Sequence, residues 1–304
     1  MQAESLLTAE LALDTRNETG ESPVWSTAEQ ALYWVDIPAC CLQRWSSKDG
    51  RITRWETPEA ISCLAPTQHA NQWIAGAEAG IARLQIVSET ELSFQTLALA
   101  EHAQPHMRFN DGRCDRQGRF LAGTMVWDGR AGAGAKAGAL YQYDSKGTLR
   151  QLLSGFRKPN GLAFSPRGET LYLSDSHPQE RWVWAYDYDV QNGTPSNGRP
   201  FIEMGGFAGR PDGAAVDTDG CYWICGTDAG MVHRYTPQGQ LDFSVKVPVD
   251  KPSMCAFGGA DLRTLYITSM RASAASDPST PDGSVFAIYL HRAQGLEEPA
   301  YRQA

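Results

Sequence analysis

The 304-residue sequence is poor in the features that mark several large functional classes. It has no C-x-x-C pair, and its seven cysteines (Cys40, Cys41, Cys63, Cys114, Cys221, Cys225 and Cys255) are an odd set. Neither a zinc ribbon nor a disulfide framework is suggested, so they read as reduced and mostly buried small apolar residues. No stretch approaches the roughly 20 apolar residues that cross a bilayer, and Met1 to Glu10 lacks the basic start and apolar centre of a signal peptide. The expectation is a soluble, cytoplasmic chain with no membrane partner, a monomer or weak homo-oligomer. Positive charge is scarce too: 27 Lys and Arg against 35 Asp and Glu leave a net charge of −8. The basic cluster of Arg108, Arg113, Arg116 and Arg119 is interleaved with acids, which disfavours nucleic acid as a partner. A G-x-S-x-G elbow and a phosphate-cradling glycine loop are both missing, which disfavours serine hydrolysis and nucleotide chemistry. Asp187 and Asp189 lack the remaining ligands of an EF-hand loop.

What the sequence does hold is turn formers and aromatics: 29 Gly, 17 Pro, 9 Trp, 11 Tyr and 10 Phe suit many short strands joined by tight turns. It also holds a repeat. G-E-S-P-V-W-S (Gly20 to Ser26), I-S-C-L-A-P-T (Ile61 to Thr67), F-N-D-G-R-C-D (Phe109 to Asp115), P-N-G-L-A-F-S (Pro159 to Ser165), P-D-G-A-A-V-D (Pro211 to Asp217) and P-S-M-C-A-F-G (Pro252 to Gly258) align in one register. Their polar starting residues, Glu21, Ser62, Asn110, Asn160, Asp212 and Ser253, are spaced by 41, 48, 50, 52 and 41 residues, the size of a four-stranded propeller blade. A second strand follows in every unit, as in L-Y-W-V (Leu32 to Val35) and Y-W-I-C (Tyr222 to Cys225), after turns such as P-R-G (Pro166 to Gly168) and T-D-G (Thr218 to Gly220). Third strands are expected at Ala139 to Tyr143, Val183 to Asp187 and Val232 to Tyr235. Six units in register favour an all-β fold, a six-bladed β-propeller of four-stranded antiparallel blades, over a β-sandwich. Residues 1–304 are expected to form this single domain. A strand at about 6–13 is expected to close the ring by pairing with the blade that contains Ser284 to Leu290.

In such a fold the first strand of each blade lines the axis, so residues at one register ring one mouth of the channel. Glu21, Asn160 and Asp212 bring two carboxylates and an amide there, beside Asn110, Ser62 and Ser253. Two carboxylates crowded into a channel need a proton or a cation between them. The donors are hard oxygens, which suit one divalent ion: Ca²⁺ first, with Mg²⁺, Mn²⁺, Zn²⁺ or Fe²⁺ as the alternatives. Three protein ligands leave positions for water and substrate, as catalytic sites do. Of Asn110 and Asp111 only one is expected to point inward, because neighbouring strand residues face opposite ways; Asn110 is chosen and Asp111 assigned to a backbone bond. His102 and His106 read as surface loop residues, and nothing supplies His177 with a partner.

Several of these strings also resemble the gluconolactonase/regucalcin (senescence marker protein) family. They are G-E-S-P-V-W (Gly20 to Trp25), R-F-N-D-G-R-C-D (Arg108 to Asp115), G-R-F-L-A-G-T-M (Gly118 to Met125), P-N-G-L-A-F-S (Pro159 to Ser165) and P-D-G (Pro211 to Gly213). P-V-D-K (Pro248 to Lys251) and F-G-G (Phe257 to Gly259) extend the likeness, which runs in one order over nearly the whole chain. The resemblance implies a six-bladed propeller holding one divalent ion through Glu21, Asn160 and Asp212. It also implies that Arg108 and Asn110 contact a sugar lactone, as Asp128 does less securely. The Gly129 to Gly138 loop beyond Asp128 is either a lid over the mouth or an outer-blade turn.

The activity expected is metal-dependent hydrolysis of an aldonolactone to the sugar acid. The ion polarises the ring carbonyl, Asp212 serves as general base and then acid, and Arg108 and Asn110 orient the ring. The rival expectations are an esterase or phosphotriesterase on the same ion, and a calcium-binding propeller without catalysis.

Overall fold

The computed structural model describes residues 7–206, 209–271 and 279–303, and among these the only helical element is the 3-10 turn Met204–Gly206. The rest of the regular structure is strand, arranged as six blades around an axis. Blade 1 is built from Gly20–Ser26, Ala31–Asp36, Cys41–Ser46 and Ile52–Glu56, in order from the axis outward. The inner strands of the other five blades are Ile61–Pro66, Met107–Cys114, Pro159–Phe164, Arg210–Val216 and Pro252–Gly258. Consecutive inner strands touch, and the sixth touches the first, so the ring is closed. The six-bladed architecture expected from the repeat is therefore the one observed. The third strands fall at Gly138–Tyr143, Trp182–Asp189 and Met231–Tyr235.

Burial falls from axis to rim and accounts for the sequence pattern. Ala31–Asp36 is buried at every position because both of its faces meet other blades, and this is why L-Y-W-V shows no alternation. Trp34, Trp223, Tyr222 and Phe286 are fully buried between blades, each stabilising the fold by about 1.5–3 kcal/mol. The outer strand Thr194–Glu203 is mostly exposed. The turn glycines do what P-R-G and T-D-G require, with φ of 80° at Gly168 and 81° at Gly220. All seven cysteines are free, and all but Cys40 are buried.

Ring closure differs in detail from the single strand expected at about 6–13. Leu6 lies outside the described residues. Glu10–Leu13 is the outer strand of blade 6, antiparallel to Val285–Tyr289, but Leu7–Thr8 runs parallel to Leu241–Lys246 at the edge of blade 5. The crossing occurs at buried Ala9, whose N–H donates to the Lys246 carbonyl at 2.8 Å. One short segment thus covers two sheet edges and ties blades 5 and 6.

The far end of the axis is shut by the C-terminal tail. The Tyr301 N–H donates to Pro66 O and the Arg302 N–H to Gly118 O, while Glu298 reaches buried Arg113 at 3.5 Å. A cleft of about 690 Å³ between this tail and the blade 1 and 2 turns, lined by Trp25, Trp73, Arg116 and Glu297, lies at that closed end, away from the axial carboxylates. Polar convergence is at the other mouth.

Candidate active site at the axial mouth

All six inner strands carry a register shift beside the axial residue: between Glu21 and Val24, Ile61 and Cys63, Phe109 and Gly112, Asn160 and Ala163, Pro211 and Ala214, and Pro252 and Cys255. Such bulges suspend the pleat and re-aim side chains. They also let blades approach: a Cβ on Gly213 would meet Met254 atoms at 2.3 and 2.4 Å, and one on Gly112 would meet Cys63 Sγ at 2.6 Å.

The ring divides into two kinds of residue. Ser62 Oγ donates to Phe109 O at 2.7 Å, Asn110 Nδ2 to Pro159 O at 3.1 Å, and Ser253 Oγ to Gly20 O. In each case the acceptor is the carbonyl just before the next blade's axial residue, so three side chains stitch blade 2 to 3, 3 to 4 and 6 to 1. Glu21, Asn160 and Asp212 make no such bond. A carboxylate has no proton to donate. Asn160 spends its Nδ2 on Ser176 Oγ at 2.6 Å, so its Oδ1 is the end left over. Among the described residues no hydrogen bond reaches that Oδ1 or the Asp212 carboxylate, and Glu21 accepts only the Ser22 N–H at 3.1 Å.

The two axial carboxyls are held in their neutral forms by burial and by charge. Burial raises the Glu21 carboxyl well above its ordinary value, and the charges of Asp212 and then Asp111 raise it further. Burial likewise pushes Asp212 up to about 8, against the opposing pull of Arg210 and Lys158. Two mutually repelling buried carboxylates beside a free amide oxygen fit a hard divalent cation, which would relieve the repulsion and satisfy all three. Among the described residues there is no cluster of three or more His, Cys, Asp or Glu arranged for a metal.

Asp111 departs from strict alternation. It is buried, accepts the Leu162 N–H at 2.7 Å on the inner strand of blade 4, and still influences both Glu21 and Asp212. The backbone bond was expected; the reach to the ring follows from the bulge. Ser22 makes the equivalent bond from blade 1, accepting the Leu64 N–H at 2.9 Å.

Arg108 lies over Trp127, its guanidinium carbon 4.5 Å from the ring centroid. Its Nη1 donates at 2.7 Å to both Phe109 O and Asn110 Oδ1, and its buried Nε has no partner among the described residues. Burial holds its pKa down to about 10. Asn110 is consequently committed at both ends, and it positions Arg108 as well as the ring. Asp128 is exposed at the rim, its Oδ1 2.6 Å from Lys158 Nζ. The Gly129 to Gly138 loop is tied to blade 4 by the ion pair of Lys136 with Glu180 at 2.7 Å and by Arg157, which donates to Gly134 O. His102 is half-buried, bonded to Glu78 O at 3.0 Å with its ring tilted beside Phe109. Ser176, Trp127 and Lys158 hold positions at the site that the axial register does not mark, although Ser176 lies two residues after Ser174, the strand partner of Asn160.

Residues 19–271 match the family model described as the SMP-30/Gluconolactonase/LRE-like region. The chain belongs to this family. It is 38% identical to a 6-deoxy-6-sulfogluconolactonase of Pseudomonas putida, over 93% of this chain and 94% of that one. It is 34% identical to an L-arabinolactonase of Azospirillum brasilense, over 94% and 93%. The structure of a calcium-binding protein, regucalcin, from Agrobacterium tumefaciens superposes with a TM-score of 0.88 at 26% identity, covering 98% of this chain and 99% of that one. No helix among the described residues is long and apolar enough to cross a membrane.

Proposed function

We propose that the chain hydrolyses sugar lactones to sugar acids at the axial mouth, with Glu21, Asn160 and Asp212 holding one divalent cation, Ca²⁺ foremost. The observation that carries this is the division of the ring: the three axial side chains that do not stitch blades together are the ones offering oxygens to the mouth. Membership of a family with lactonases named for two different sugar lactones supports the reaction class.

A bound cation there supplies Lewis acidity to the lactone carbonyl. The chain's own residues do the rest. Arg108, clamped by Trp127 and Asn110, would offer its guanidinium to a substrate oxygen, converting binding into orientation. Asp212, with no hydrogen bond of its own, is free to take a proton from the attacking water and return it to the departing ring oxygen. Asp128 at the rim is placed to meet a substrate hydroxyl, at the cost of loosening its pair with Lys158.

A pH-stat panel of pentono- and hexonolactones, aryl esters and phosphotriesters tests the reading. Fastest turnover of a lactone supports it, whereas faster opening of aryl esters or phosphotriesters replaces it with the esterase reading. The description of the Agrobacterium relative as calcium-binding favours a second reading, cation holding without turnover, which predicts that no substrate in the panel is opened.

A further inference from the structure

A second ring stands at the starts of the inner strands. Two residues before the axial positions stand Thr19, Ala60, Arg108, Lys158, Arg210 and Lys251, so four consecutive blades, 3 to 6, place a cation at one register. Arg108 and Arg210 lie in their inner strands, and Lys158 and Lys251 stand immediately before theirs, so the four cations enter the ring at one level and border the axial residues from the rim. Strand partners agree: Arg108 faces Met125 and Arg210 faces Thr227, while Lys158 and Lys251 present their carbonyls to the N–H groups of Ser176 and Met270.

The arc is under-neutralised. Lys158 pairs with Asp128, whereas Arg210 and Lys251 share Asp228, at 2.6 and 3.8 Å. Three cations thus share two rim carboxylates, and the buried Arg108 Nε has no partner among the described residues. Arg210 Nη1 donates to Ser176 O at 2.9 Å, on the residue whose Oγ accepts from Asn160 Nδ2 at 2.6 Å, and Lys158 stands two residues before Asn160, so both cations adjoin the axial ring. With a divalent cation below neutralising Glu21 and Asp212, the arc's excess positive charge is directed at the substrate. At the same register blades 1 and 2 carry Thr19 and Ala60, so the cations of this level stand on one side of the ring.

We propose that Lys158, Arg210 and Lys251 form an anion-recognition arc that selects lactones bearing an oxyanionic substituent, sulfonate or phosphate, at the carbon farthest from the carbonyl. This rests on the lactonase reading. It adds the substrate class: the carbonyl sits over the axial oxygens, and the remote anion meets the rim.

The test compares kcat/KM for gluconolactone, 6-deoxy-6-sulfogluconolactone and 6-phosphogluconolactone on the cation-loaded enzyme. Either anionic lactone should exceed the neutral one by about tenfold or more, the faster naming the substituent, and the preference should shrink as salt is added. Lys251→Met and, independently, Lys158→Met should each cut the anionic-to-neutral ratio by about tenfold. A ratio near one in the parent enzyme, or one unmoved in both variants, overturns the arc while leaving lactone hydrolysis standing. Should no lactone open, the lactonase reading fails, and calorimetry with 6-sulfogluconate against gluconate decides the arc separately. Tighter sulfonate binding lost in Lys251→Met supports it, and equal binding of the two acids overturns it.

Discussion

Asn110 Nδ2 lies 3.1 Å from the carbonyl oxygen of Pro159, one residue before Asn160, so the axial residue of blade 3 is bonded to the strand that carries the axial residue of blade 4. Ser62 and Ser253 make the same stitch to Phe109 and Gly20. The site and the closure of the propeller therefore use one register of one strand, and chemistry is placed where stitching is given up.

Removing a stitch should cost stability and leave cation binding intact. Ser253→Ala deprives the buried Gly20 carbonyl of its donor at the junction of blades 6 and 1. A loss of about 1–3 kcal/mol in chemical denaturation is expected, with an unchanged calorimetric affinity for Ca²⁺.

Ser176 fixes which end of the Asn160 amide faces the axis. Ser176→Ala should weaken cation affinity roughly fivefold, corresponding to about 1 kcal/mol for one hydrogen bond, with little change in melting temperature. A variant that binds Ca²⁺ as tightly as the parent would contradict the assignment of Oδ1.

In cation-free protein, stability should fall as pH rises. Asp212 is pushed from 3.8 up to about 8, first by burial, and Glu21 is raised in the same direction. The folded state then holds more protons than the unfolded state between about pH 4 and 8. This contribution is complete below the unfolded value and is lost as pH rises toward the folded one. Denaturation in chelator from pH 5 to 9 should show the decline, reduced in Asp212→Asn and flattened by restored Ca²⁺; equal slopes in parent and variant would contradict it.

The inner strands and the ring of Glu21, Asn160 and Asp212 were legible because axial residues recur at blade length, each just before a buried apolar run. The bulges were not, since a bulge leaves no mark on a two-residue alternation; Asp111 does bond backbone, but on the inner strand of blade 4 rather than in a neighbouring turn. Arg108 lies outside the axial register, two positions before it, where it aligns with Lys158, Arg210 and Lys251. The tail that seals the far mouth, from His291 to Gln303, has no periodicity, and its backbone bonds to Pro66 and Gly118 depend on blades remote in sequence.

The central claim is that a cation held by Glu21, Asn160 and Asp212 is required for lactone opening. It is tested most directly by titrating Ca²⁺ back into chelated parent and Asp212→Ala while following acid release from a hexonolactone in a pH-stat. The account predicts activity in the parent that saturates at one ion per chain, and in the variant neither retained ion nor activity, a loss of at least about 10²-fold. Undiminished turnover by the chelated parent, or full activity and cation content in Asp212→Ala, would contradict it.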